Sequence, residues 1–580
     1  MHSRFAEVTC FVAYSIDEMR QVFTTGGLSL RTRQFYLSLS VVLAWGCFVH
    51  AASSARAEEA AAFHQSDALK QHYPDIPISM KAPALAAGRN QFTSQEEMLA
   101  FLADLSARSS HAAVSMIGSS QQGREIPLVL LSKEGFTDFE TLQKLNRPVV
   151  WFIGQQHGNE PAGGEAMLAL AAALAHGELT PLLDRVTVAI VPRANPDGAA
   201  NLQRTTADHV DPNRDHLLLS TPENLAIHGA MLRLPPDVVF DHHEFSVARR
   251  WVEKFGGVQL SDAMILYATH PSVPSNIVAL AKDLFKPSID QAMQAFGLTN
   301  ILYHTTSYNE ADKTVAMGGN APGIARNTFG LTNAVSFLIE TRGVGIGMED
   351  FERRVASHYV IARSVLRTTY DNADRLQQAL AQARRSNAGA SDDLVVAHHL
   401  KQTELPLPLR DPQSGEEKVV TVTFLDSRQI EPTETRARPA GYAVLDHANA
   451  IADKLRLNHV AICRLAQDAN VDSQAYAVTG AAAATDNEDF IDKINPKQAL
   501  QVRLMPVQRP IPAGTIFVTM SQPAAGLIAA ALEPDSPGSL SSALMSWKDA
   551  STPPLLRVSS LKGVRLAPQR DSDASICRQD

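Results

Sequence analysis

Between residues 90 and 370 the chain alternates short apolar blocks with longer amphipathic stretches. Val149-Val-Trp-Phe-Ile153 is continuously apolar and stops at Gly154, which reads as a strand buried on both faces. Ile126-Pro-Leu-Val-Leu-Leu131, Val186-Thr-Val-Ala-Ile-Val191, Val238-Val-Phe240 and Val335-Ser-Phe-Leu-Ile339 repeat the pattern. Helical signals lie between them. Pro161 suits a first helical position, and Ala166 to Ala175 is strongly helix-forming. The stretches 275–296 and 349–368 carry helical periodicity, and Thr93-Ser-Gln-Glu96 reads as a capping box ahead of Met98, Phe101, Leu102 and Leu105. Strands alternating with helices predict an α/β domain over 91–385, its sheet covered on both faces.

Outside that region the pattern changes. Residues 58–90 hold scattered Pro and Ala without a period, an irregular lead-in. Beyond Asp371 a polar, Ala-rich stretch predicts a terminal helix, then a linker over 386–414 that opens with Ser386-Asn-Ala-Gly-Ala-Ser-Asp-Asp. Val419-Val-Thr-Val-Thr-Phe424 alternates as a half-exposed strand, Ala450 to Leu455 is helical, and Val502 to Val518 holds two strands around Pro510-Ile-Pro-Ala-Gly514. The expectation is a smaller α+β or β-rich domain over 415–567 and a disordered tail over 568–580.

At 580 residues the chain has room for two or three domains. Its formal charge of −9, with both signs mixed throughout, provides no broad basic surface and argues against a nucleic-acid partner. Arg31-Thr-Arg33, the apolar run Phe35 to Val49 and Ala55-Arg-Ala57 make residues 1–57 a signal-peptide region, although thirty residues precede Arg31 and translation starting at Met19 would shorten it. The run is short and broken for a membrane span. The reading is therefore an exported protein, periplasmic or extracellular, with no stable membrane insertion once the leader is removed. Leu43-Ala-Trp-Gly-Cys47 does not fit a lipoprotein signal. Leader removal takes Cys10 and Cys47 with it and leaves Cys463 and Cys577, whose pairing two thiols cannot prove. Neither supplies a thiolate near the central strand.

The chemistry-bearing residues cluster just past the apolar blocks. His157-Gly-Asn-Glu160 stands on the loop after Val149–Gly154, at the strand edge where open α/β sheets bind ligands. An imidazole and a carboxylate are zinc donors, and catalytic zinc commonly takes two His and one Glu. Taken alone, the motif reads equally as an exposed polar loop. Asp241-His242-His243-Glu244 offers a second imidazole, but adjacent residues of a strand face opposite ways, so one histidine at most can ligate. Arg204 and the run Asp211-Pro-Asn213-Arg214 suit a carboxylate or an oxyanion, or are simply solvated. Glu340, in Leu338-Ile-Glu-Thr-Arg-Gly343, is a candidate general base at a pocket edge, with an ion pair to Arg342 as the plain alternative.

In this order the segments resemble the zinc metallocarboxypeptidase family related to carboxypeptidase A. The matching stretches are Gly118-x-Ser120-x-x-Gly123-Arg124, His157-x-x-Glu160, Asn195-Pro-Asp-Gly198, Asp211-x-Asn213-Arg214, Asp241-x-His243 and Ile339-Glu340-Thr341-x-Gly343, over residues 90 to 365. The resemblance implies a three-layer α/β/α domain with a mixed, mostly parallel sheet, and the C-terminal part is similar to the extra domain of bacterial secreted members. It implies one Zn²⁺ per chain on His157, Glu160 and His243, and a catalytic pair of Glu340 as base and Arg204 beside the scissile carbonyl. Asn213 and Arg214 would clamp the free C-terminal carboxylate of a peptide substrate, and Asp211 would stand behind the metal ligands. Two departures remain: the family's mobile tyrosine has Tyr308 as its nearest candidate without a motif to fix it, and the residue setting side-chain preference cannot be aligned within Met317 to Asn333, where Arg326-Asn-Thr-Phe-Gly330 is a weak guess. The implied activity is hydrolysis of the last peptide bond. The alternatives are a related zinc deacylase or amidase acting on N-acyl amino acids or cell-wall peptides, and a non-catalytic peptide-binding module.

Overall fold

The computed structural model describes residues 63–135, 138–482, 499–547 and 552–578; the stretch read as a leader lies outside them. The first eleven described strands are β1 Ala112–Ser119, β2 Glu125–Leu131, β3 Val149–Gly154, β4 Thr187–Val191, β5 Val238–Ser246, β6 Val258–Gln259, β7 Ala263–Tyr267, β8 Asn300–Leu302, β9 Thr305–Thr306, β10 Val315–Ala316 and β11 Val335–Val344. Eight of these form one sheet in the order β1-β2-β4-β3-β5-β11-β7-β8. At its centre β4, β3, β5 and β11 run parallel, while β2 and β7 join antiparallel at the flanks.

Burial on both faces explains the apolar blocks, because alternate residues of one strand feed two different cores. Val150, Phe152, Phe240 and Phe337 pack with Met167 and Leu170 of α2 (Pro161–His176, which follows α1, Gln95–Arg108). Trp151, Ile153 and Val239 pack the opposite way, with Ile227 and Met231 of α3 (Pro222–Arg233). A fourth helix, α4 (Phe351–Asp371), lies on the α2 side and contributes Val355 and Tyr359. The result is the expected three-layer arrangement. The capping box of α1 sits one residue later than the sequence pattern places it. Ser94 and Glu97 exchange the capping bonds, and the Thr93 hydroxyl instead donates to buried Glu165.

The C-terminal half departs more. Residues 386–414 are not a linker: a helix runs on to Ala388, and Leu394–Arg410 is a long strand, β12. It pairs antiparallel with β13 (Glu417–Arg436), and the hairpin joins the α/β domain in a sheet ordered β6-β12-β13-β10-β9. The polar Lys401-Gln-Thr-Glu404 of β12 lies in an exposed stretch of the hairpin, while Leu407 and Leu409 are buried beside Trp251 and Phe424. From Gly441 onward a seven-stranded sheet forms, packed against the apolar helix Ala525–Leu532. The tail after Pro568 is ordered as far as it is described. Asp571–Asp573 and Ala574–Cys577 form short helical turns, tied back by a disulfide from Cys577 to Cys463. No helix among the described residues is long and apolar enough to cross a membrane.

Candidate metal centre and substrate cleft

The C-terminal ends of β3, β5 and β11 deliver the site. After Gly154 the loop carries His157 and turns into α2 with Glu160 at the helix N-cap. Gly158 lets that loop sit against the Asn195–Gly198 turn: a Cβ there would fall 1.8 Å from the carbonyl carbon of Gly198. Strand β5 continues through Asp241 to Ser246 instead of ending at Phe240, because β3 and β11 pair with it on either side and hold the polar residues in the ladder. Strand β11 likewise runs through Glu340, placing it opposite His243 in the parallel register. Period-two alternation then settles the histidine pair. Asp241 and His243 face the site, whereas His242 turns to the α2–α4 side, its Nδ1 2.9 Å from Nδ1 of His358.

His157, Glu160 and His243 converge, all buried. His157 Nδ1 lies 2.9 Å from Glu160 Oε1, His243 Nδ1 lies 2.9 Å from Glu160 Oε2, and the two Nδ1 atoms are 3.0 Å apart. The far nitrogen of each ring meets a carboxylate: His157 Nε2 reaches Asp211 Oδ1 at 3.0 Å, and His243 Nε2 reaches Asp241 Oδ2 at 2.7 Å. A ring that donates Nε2–H to a carboxylate keeps a lone pair on Nδ1, so both free lone pairs belong to the converging atoms. Ligands about 2 Å from a tetrahedral zinc ion stand just over about 3 Å from one another. Donor types, tautomers and spacing fit zinc.

The two carboxylates of the site are driven apart. Burial opposes charge on Glu160, yet His157 and His243 hold it well below the usual carboxylate range. Burial, reinforced by the charge of Glu160, pushes Glu340 up to about 8. Such a split marks groups with different tasks, one a fixed anion and one that can exchange a proton.

The remaining expected residues line the same cleft, of about 140 Å³. Arg204 grips Asp211 Oδ2 through Nε (3.0 Å) and Nη2 (2.8 Å) and extends Nη1 to 3.1 Å from His157 Nδ1. Arg214 donates to the carbonyl of Asn213 at 2.9 Å and borders the cleft. Asn213 is more committed than a simple clamp requires. Its Nδ2 approaches Asp241 Oδ2 (3.2 Å) and His243 Nε2 (3.0 Å), and its Oδ1 accepts from the Ala325 amide at 2.9 Å. Tyr308 is 63% exposed at the mouth, under the Arg250 guanidinium. Glu340 does not pair with Arg342, whose Nη1 goes instead to Asp350 at 3.2 Å. The sequence reading missed Tyr303, Arg250 and Glu244 as lining residues. Glu244 is turned from solvent by Arg354, which donates to it at 2.8 Å, and by the Ala162 amide at 3.0 Å.

A family model described as zinc carboxypeptidase matches residues 98–227, a span that holds His157, Glu160, Arg204, Asn213 and Arg214 but stops before His243 and Glu340. Carboxypeptidase 2 of Trichophyton rubrum is 30% identical over 455 residues, covering 78% of this chain and 83% of the relative. Probable carboxypeptidase 2 of Trichophyton verrucosum is 29% identical over 446 residues, covering 76% and 85%. Among solved structures, a metallo-carboxypeptidase from Pseudomonas aeruginosa in complex with (2-guanidinoethylmercapto)succinic acid aligns at 21% identity and a TM-score of 0.35, over 48% of this chain and 69% of that one. With a relative matched over most of both chains and a site built for zinc, the chain belongs to the zinc carboxypeptidase family.

Proposed function

We propose that this protein is an exported metallocarboxypeptidase that removes the last residue of a peptide, with zinc on His157, Glu160 and His243. The observation that carries it is the approach of His157 Nδ1, the Glu160 carboxylate and His243 Nδ1 to within about 3 Å of one another, each ring backed by its own aspartate. Zinc supplies Lewis acidity toward the scissile carbonyl and the attacking water. The chain's residues do the rest. Glu340, in its carboxylate form, takes the water proton, which burial then favours keeping on it, and passes that proton to the departing amine. Arg204, aimed past His157 by its grip on Asp211, donates to the oxygen that gains charge. Arg214, with Asn213 beside it in the cleft lining, holds the terminal carboxylate, which limits cleavage to the chain end. Export is supported by the basic, then apolar, then small-residue order of 1–57 and by the Cys463–Cys577 disulfide, a bond that persists in oxidising compartments.

The test is mass-spectrometric profiling of a peptide mixture with purified protein, with and without a chelator. Stepwise loss of C-terminal residues that stops on chelation is the expected result. A mixture left unshortened while N-acyl amino acids are hydrolysed would replace this reading with the deacylase.

A further inference from the structure

The cleft holds a cation that neither the metal centre nor the terminal-carboxylate clamp uses. Arg326 begins the second position of the short helix Ala325–Leu331 and is only 2% exposed. Its Nη2 donates to the Gly319 carbonyl at 2.6 Å, its Nε is buried without a partner, and among the described residues no carboxylate pairs with it. An unpaired buried guanidinium costs several kcal/mol, so a site that keeps one is poised for an anion that arrives from outside. Burial lowers Arg326 only to about 10, and it stays cationic at neutral pH.

Its neighbours define which anion. The Ala325 amide is bonded to Asn213, so Arg326 stands one residue from the carboxylate clamp. Tyr303 is 7% exposed, and burial and the nearby Glu340 push its hydroxyl up to about 12, which keeps it a proton donor. Arg326 and Tyr303 flank the same point: a Cβ on Gly318 would meet Nη2 of the one and the ring of the other, each at 3.0 Å. A glycine there leaves the space open. Arg250, whose Nε is also buried without a partner, adds a further positive group to the lining. Glu244, a further acid of the wall, is neutralised by Arg354.

We propose that Arg326, with the Tyr303 hydroxyl beside it, binds the side-chain carboxylate of the substrate's last residue, so that the enzyme prefers C-terminal glutamate or aspartate. The proposal rests on the carboxypeptidase reading above, and its test separates the two. Zinc-loaded enzyme is given N-acylated dipeptides ending in Glu, Asp, Gln, Leu or Lys, and kcat/KM is measured for each. One of the acidic residues is expected to exceed Gln and Leu by about 100-fold or more, because a buried polar site left unfilled rejects the uncharged analogue. Arg326→Met should collapse that ratio mainly through KM, and Arg326→Lys should restore part of it. Calorimetric binding of free glutamate against free leucine to the zinc-loaded Glu340→Gln protein gives a second readout that does not depend on the Arg326 variants folding. Leu or Lys released as fast as Glu, or equal binding of the two amino acids, overturns the proposal and leaves the carboxypeptidase reading standing. Failure to release any terminal residue overturns both.

Discussion

Asp241→Asn isolates what the aspartates behind the metal ligands do. The Asp241 carboxylate is 1% exposed and is met only by donors: Gln156 Nε2 on Oδ1 at 2.7 Å, and His243 Nε2 and Asn213 Nδ2 on Oδ2 at 2.7 and 3.2 Å. An asparagine must turn its NH₂ toward one side. Facing His243 and Asn213, it opposes two donors and frees the imidazole to shift its proton to Nδ1, the atom zinc needs bare. Facing Gln156, it forces that amide to flip, and the flip obliges His216 Nε2, 2.9 Å from the Gln156 side chain, to accept and so to change tautomer. His216 in turn leans on His228, which burial keeps neutral, down at about 3. Either orientation disturbs the proton order that the carboxylate imposes on the histidines around it. Partners behind metal ligands typically account for 10–100-fold in affinity, about 1.4–2.8 kcal/mol. Competition against a chromophoric chelator near neutral pH gives the zinc affinity directly, with Asp374→Asn, an exposed partner of Arg185, as control. A folded Asp241→Asn protein that binds zinc within about twofold of wild type would refute the tautomer argument.

Further outcomes follow from the same contacts. Glu340→Gln should retain zinc yet lose most turnover, and a variant that keeps more than a tenth of wild-type kcat would remove Glu340 as the base. Without metal, burial and the charge of Glu160 push Glu340 up to about 8 from an ordinary 4.5, so the folded state holds the extra proton and loses stability as pH rises between those values. Glu340→Gln should therefore gain on wild type by a few kcal/mol between pH 4 and pH 9 in denaturant melts, and a pH-independent gap would show the carboxyl is not so raised. Arg354→Met strips the buried Glu244 of its ion pair and should cost about 3–5 kcal/mol of unfolding free energy; a melting temperature unchanged from wild type would contradict this. Reducing Cys463–Cys577, which closes a separation of 114 residues, should cost about 2–5 kcal/mol, read as a lower denaturant midpoint in reductant.

The sheet and the metal-binding trio were legible because each rests on a short-range signal. A doubly buried strand must be apolar throughout, and a zinc ligand must be a His or a carboxylate near a strand end; Val149–Gly154 and His157-x-x-Glu160 announce both within twelve residues. Alternation limited the Asp241–Glu244 run to one ligand, but which face looked inward depended on β3 and β11, elements far away in sequence. Strand ends were misjudged for the same reason: Asp241 and Glu340 are polar, and only neighbours on both sides keep such residues extended. The stretch after Ala388 failed differently. Lys401-Gln-Thr-Glu404 has the composition of a solvated linker, and nothing local says that Glu417–Arg436 will pair with it. Arg326 lines the cleft, as the guess at Arg326-Asn-Thr-Phe-Gly330 had it, but that it is buried without a carboxylate is visible only from what is missing around it, and Tyr303 carries no local mark at all.

That hairpin bears on the cleft itself. Strand β10, Val315–Ala316, is only two residues long and too short to hold its place unaided, yet it leads directly to Gly318 and Gly319, which shape the space beside Arg326. It is held by β13, with Val315 paired to Phe424 and Ala316 to Leu425, and the Met317 amide adds a bond to the Leu425 carbonyl at 2.9 Å. On the far edge β12 pairs through Leu409 and Arg410 with β6, the strand that follows the helix bearing Arg250 and Trp251. The segments that carry Arg250 and the Gly318–Gly319 wall are therefore braced by residues beyond 390. The candidate metal ligands, by contrast, stand on β5 and on the loop and helix start that directly follow β3, and need no such brace. The candidate metal centre is built into the α/β sheet, and the shape of the cleft beside Arg326 is shared with the C-terminal hairpin.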